Sequence, residues 1–423
     1  MNPRLLLIAG AVALSSTVAV TLAQLRRSGA FDQSINHPAI QYLTADTDTV
    51  VDRLNQKLRN GSAKLVYDQK TGYLKSVLDL LQVPVESQVM VYTQTSLQAQ
   101  HIKMDNPRAI YFNDTVSVGY IRGAGLIEVV AQDPKMGSIF YAVQQAQPPS
   151  AEATGGRQAT FGRDQQCLRC HLSWDTLGVP GLSVLTTFPR KSEMDYANGG
   201  FVDHYKPIEE RWGGWYVTGK KLPPRHMGNL PLIMPNPIAP PPNASGASNN
   251  KIGVSLEGQF DLDGYLTPYS DIVALMVLEH QAHFANLVTR ATWETKLGET
   301  MRIAEAADAL ADYMLFVDEA KIPGGGIEGS SGYAEKFAAR GPKDSKGRSL
   351  RDLDLKTRLQ KYPLSYMIYS PAFQGMPDAP KNLVMGKIER VLSGELSDPK
   401  YAHLTPQLRA EIREILQSTV ERP

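Results

Sequence analysis

Two cysteines are the whole thiol inventory of this 423-residue chain, and they stand three positions apart with a histidine directly after them: Cys167-Leu168-Arg169-Cys170-His171. A chain of this length with only these two cysteines cannot be a disulfide-framework scaffold, so its stability has to come from core burial. Its 42% hydrophobic and 21% charged residues are those of an ordinary globular protein. With 44 Lys+Arg against 43 Asp+Glu, it is not a nucleic-acid binder that works by neutralising many phosphates.

The pentapeptide reads as C-x-x-C-H. On a helical turn, cysteines three apart present both sulfurs to one side, where they can form thioethers to the two vinyl groups of a haem. The next residue, His171, then lies under the ring, where Nε2 can coordinate the iron. Its other nitrogen is expected to donate to a backbone carbonyl, which fixes the tautomer. With 8 histidines in the chain, this arrangement arises by chance roughly once in ten thousand such sequences. Other uses of the cysteines fit less well. A zinc site needs a fourth ligand, and a thioredoxin-like pair follows a strand in a βαβ unit. A disulfide across two residues is strained. The expected cofactor is one covalent haem c.

The motif resembles the haem attachment site of the c-type cytochromes. Gly178-Val179-Pro180-Gly181 is similar to the Gly/Pro segment that follows the histidine in many of them, and the resemblance implies that the Pro180 carbonyl accepts the His171 Nδ1–H. It covers about Thr160 to Met234, a fifth of the chain. The whole chain is also similar to a group of large exported bacterial proteins with one such motif, in Arg211-Trp-Gly-Gly-Trp-Tyr216, His226-Met-Gly-Asn229 and Ser270-Asp-Ile-Val-Ala-Leu-Met276.

The second axial position decides between electron transfer and ligand chemistry. His226, in a polar loop between breakers, is the first candidate. Met234 is the second, because it matches the distal methionine of small c-type cytochromes in a Pro-rich loop 63 residues after His171. An open position is the third. His280 and His283, at i, i+3, are weaker candidates for reaching the haem from a helix, and His204 lies in another polar stretch. Arg211 and Arg225 are candidate partners for haem propionates. The Trp212–Tyr216 segment reads as core or as haem-edge packing.

Along the chain, residues 1–23 have Arg4, an apolar stretch and Thr21-Leu22-Ala23. They read as a secretory signal cut after Ala23, or as an uncleaved membrane tether. The expected regions are an α+β domain at 44–147 and a cytochrome c-like haem-binding region at 157–234. A Pro-rich linker at 235–250 leads to a mainly helical domain at 259–423. In the first, a helix is expected over 72–83 and hairpin strands over 88–93, 109–112, 116–121, 126–130 and 138–143. In the last, a helix should begin at Thr267–Asp271, with others at 301–316, 382–392 and 405–416. The fold class expected is α+β, with antiparallel hairpins first and helices in the second half. The resemblance implies a periplasmic monohaem electron carrier with redox partner proteins. The alternatives are a periplasmic haem enzyme of the peroxidase or other oxidoreductase kind, and a haem-based sensor.

Overall fold

The long hairpin shows why the first half forms a sheet. β4 (Leu126–Asp133) alternates half-buried and buried positions along its whole length, and β5 (Gly137–Gln144) pairs with it from Leu126↔Gln144 to Asp133↔Gly137. The Asp133 carboxylate closes the turn by accepting from the backbone N–H of Lys135 and Met136. Gly137 has φ +84° and faces Thr289 with no space for a side chain, so this turn can dock on a helix of the second half.

The computed structural model describes residues 35–146, 159–187, 200–230, 252–298 and 300–420. The signal segment, Met234 and the 235–250 linker therefore lie outside the described residues. The class is α+β, with a sheet-rich first half and a helix-rich second half. Besides β4 and β5, the sheet contains β1 (Val89–Val91), β2 (Arg108–Phe112), β3 (Val116–Tyr120), β6 (Gly162–Arg163) and, from beyond the motif, β9 (Trp215–Tyr216). Its order is β6-β5-β4-β3-β2-β1-β9, antiparallel throughout. A separate pair joins β7 (Val184–Thr186) to β8 (Gly200–Val202). The main sheet thus takes strands from both of the first two expected regions.

Because side chains alternate, the sheet has two different faces. Ala109, Tyr111, Val118, Tyr120, Ile127 and Val129 pack against α1 (Val50–Arg59) and α2 (Leu74–Leu80). Val89, Val91, Phe112 and Trp215, on the other face, join the core of the helical half. That half is built on α4 (Ile272–Leu297), which follows the four-residue α3 (Leu168–His171) of the motif. α4 packs on α5 (Thr300–Met314) and on β5. Beyond it lie α6 (Tyr333–Ala339), the short α7 (Pro371–Gln374), α8 (Asp378–Ser393) and α9 (Pro406–Thr419). No helix among the described residues is long and apolar enough to cross a membrane.

α4 is buried on nearly all sides over its first twenty residues, so its N-terminal donors need partners inside the protein. Asp271 Oδ1 accepts from the N–H of Val273 and Ala274. Oδ2 accepts from the N–H of Ser330 (2.7 Å) and Ser331 (2.8 Å) and from Ser331 Oγ. Its neighbour Ser270 accepts from Met90 N–H on β1 and donates to the Tyr216 carbonyl on β9. Two consecutive residues therefore join sheet, helix and the 329–331 loop. Asp271→Ala leaves several buried donors unpaired and is expected to lower unfolding stability by about 2–4 kcal/mol. Ser331→Ala should cost about 1 kcal/mol. Urea unfolding of the two variants checks the order.

Candidate functional site

The motif folds as expected of it. Asp164 caps a 3₁₀ turn at Gln165–Cys167, which runs into α3. Cys167 is half-buried and Cys170 exposed, and both line one cavity together with His171. That cavity, about 340 Å³, lies between the helical-half face of the sheet and α4, within the size range of small-molecule and cofactor sites. Val91, Ile110 and Val130 from the sheet, Trp215, and Leu278 and Ala282 from α4 make its apolar walls.

His171 is oriented by a reciprocal pair. Its backbone carbonyl accepts from Gly181 N–H, and its Nδ1 lies 3.0 Å from the Gly181 carbonyl. A carbonyl only accepts, so the proton is on Nδ1 and the lone pair is on Nε2. The acceptor is Gly181 and not Pro180. The chain turns back through Leu177 and Gly178, both at positive φ, and it is the carbonyl one residue later that reaches Nδ1. Gly181 also has no room for a Cβ, because Asn286 of α4 sits against it and donates to the Leu182 carbonyl at 2.7 Å. Phe140 packs on the imidazole with ring centres 5.0 Å apart. Burial, with the Arg108 cation beside it, pushes His171 down to about 4, so the ring is neutral and able to ligate.

The donor set fits a haem better than the other uses of the motif. Burial and the Asp164 and Glu128 carboxylates push the Cys167 thiol up to about 12, the opposite of the lowered pKa of an attacking redox thiolate. Among the described residues, no group of three or more His, Cys, Asp or Glu side chains could hold a metal ion unaided. A haem supplies four nitrogens itself and asks the protein only for axial ligands. One neutral imidazole, two thiols and a cavity with both apolar and charged walls are compatible with that demand.

Among the described residues, the other candidate histidines and the two candidate arginines do not line this cavity. His226 is buried against Trp212, its Nδ1 accepting from Gly228 N–H, and is not among the residues lining the cavity. Arg211 forms a buried ion pair with Glu279, which also accepts from Trp212 Nε1. Arg225 is exposed. Neither arginine lines the cavity; Arg108 and Arg169 do. In the aromatic segment, Trp215 faces the cavity and Trp212 is core. His280 and His283 are buried in a ring cluster with His204, Tyr313 and Phe201, away from the cavity walls that Leu278 and Ala282 form on the same helix.

Sequence reading missed Arg108, Glu128, Phe140, Gly181 and Asn286. A signal for the first two was present: an Arg and a Glu at alternating positions of half-buried strands point to a polar group inside. No protein-family model, curated protein or solved structure matches the chain.

The buried histidines make stability depend on pH. Burial pushes His280 down to about 3 and His283 to about 4, and His204 well down. Above the unfolded value near 6.5, folded and unfolded chains are both neutral, and stability is full. As pH falls, the unfolded chain binds protons first, so each imidazole is expected to remove about 2 kcal/mol by about pH 5. Unfolding by urea at pH 7 and pH 5 checks this. His204→Phe, which keeps the ring stacked at 4.1 Å on Tyr313, should reduce the pH dependence.

Proposed function

We propose that the protein is an exported monohaem c-type cytochrome acting in periplasmic electron transfer. One observation carries the reading: Cys167, Cys170 and His171 line a single cavity, with His171 Nδ1 tied to the Gly181 carbonyl so that Nε2 is the free ligating atom. Each thiol would add across a vinyl group, sulfur and hydrogen both entering the new thioether side chain, so attachment consumes no oxidant. When bound, the haem supplies a one-electron couple at iron. The chain's own residues do the rest. His171 would ligate, the Gly181 carbonyl would hold its orientation with Asn286 packed against that glycine, and the sheet and α4 would wall the group.

The carrier reading is supported by the exposure of the motif. Cys170 is exposed and Trp174, three residues after His171, is 59% exposed. The attachment edge therefore reaches the surface, where a redox partner protein can dock. Export follows from reading residues 1–23 as a signal or tether, which places haem attachment outside the cytoplasm.

Purified protein should retain its haem through acid–organic extraction, and Cys167→Ala should lower the thioether count from two to one by pyridine haemochrome spectrum. Haem that extracts from the wild type would overturn the assignment. A six-coordinate, low-spin ferrous spectrum unchanged by carbon monoxide is expected of the carrier. Ready binding of carbon monoxide would replace it with the enzyme or sensor reading.

A further inference from the structure

We propose that the ion pair Arg108–Glu128 sets the charge felt at the axial imidazole and so tunes the reduction potential of iron held by His171 Nε2. The inference rests on the haem reading above and deepens it.

The placement follows from strand register. Phe140, which packs on the His171 ring, is the cross-strand partner of Val130. Glu128 lies two residues along β4 from Val130 and so points to the same face. Its partner on β3 is Gly119, which is in turn the partner of Ile110 on β2. Arg108 is two residues from Ile110, again on that face. Gly119 has no side chain, so Arg108 and Glu128 can meet across β3, and Nη1 lies 3.3 Å from Oε2. Both residues line the cavity that His171 lines.

The pair is held but not closed off. Ser96 Oγ and Gln98 Nε2 donate to the second Glu128 oxygen, Oε1. Arg108 Nε is buried without a hydrogen-bond partner. The side chains are 19% and 22% exposed, so salt screens them far less than surface charges.

The consequence is electrostatic. Iron held at His171 Nε2 would gain one positive charge on oxidation, beside this pair. A nearby cation opposes that change and raises the potential; an anion assists it and lowers the potential. In the pair these effects largely offset. Removing one partner exposes the other.

The test is spectroelectrochemical titration of the full-length haem protein and its variants, with covalent haem scored on denaturing gels of the same preparations. Glu128→Gln should move the potential up and Arg108→Gln should move it down. The double variant should return close to the wild type, and Arg108→Lys, which keeps the charge, should stay near it. A pair that served only to brace the sheet would change stability without opposed shifts. Shifts of the same sign, or none, in proteins that stain for haem would overturn the inference and leave the haem reading standing. Wild-type protein without covalent haem would overturn the haem reading, and this inference with it.

Discussion

The arrangement depends on a carboxylate buried where a helix begins. α4 has no solvent-facing side along most of its length, so nothing about its apolar surface determines where along its axis it must stop. Hydrophobic burial is non-directional; hydrogen bonds are not. Asp271 provides the direction, with one oxygen on the helix's first turn and the other on Ser330 and Ser331. Ser270 adds the sheet, through Met90 and Tyr216. Once these bonds fix the start of α4, its periodicity assigns the remaining roles. Leu278 and Ala282 face the cavity, and Asn286 reaches the loop beside Gly181. Glu279, His280 and His283 face the interior of the helical half.

The last of these assignments is costly in isolation. Removing the Arg211 and Glu279 charges from water carries a desolvation penalty that their mutual attraction only partly offsets. Burial raises the Glu279 carboxyl to about 7 despite Arg211 beside it. What the cluster provides is geometry. Arg211 also donates to the carbonyls of His204 and Lys206, and Met227 N–H donates to the Arg211 carbonyl. The three stretches at 211–216, 226–229 and 270–276 are thus adjacent in space, joined by hydrogen bonds as well as by packing.

Much of this was legible in the residues. Short β-prone runs separated by turn signals marked β2 to β5, and the Thr267–Asp271 segment marked the start of α4. Not everything that escaped lacked a signal. α1 carries Val51, Leu54 and Leu58 at helical spacing on its buried face and the Thr49–Asp52 capping box before it, though Asp, Arg, Asn, Gln and Lys fill the rest of its ten residues. β6 and β9 are two residues long and exist because a neighbouring edge was available. The motif itself was plain, since three reactive side chains within five positions announce their chemistry. Its supports were not. Arg108, Glu128 and Asn286 come from three distant elements, and their meeting depends on register and packing that no single segment encodes. The displacement of the acceptor from Pro180 to Gly181 depended on two successive positive-φ residues, of which Leu177 is not a residue type that advertises the left-handed region.

The rigid span of α4 has a mechanical meaning. Asp271 and Asn286 are fifteen residues apart on one helix, about 22 Å at 1.5 Å per residue. One end is clamped to the 329–331 loop and the other leans on the glycine whose carbonyl orients His171. A helix packed on nearly all sides moves as a lever or does not move. The loop at Ser330–Ser331 and the glycine that orients His171 are therefore positioned by one and the same element.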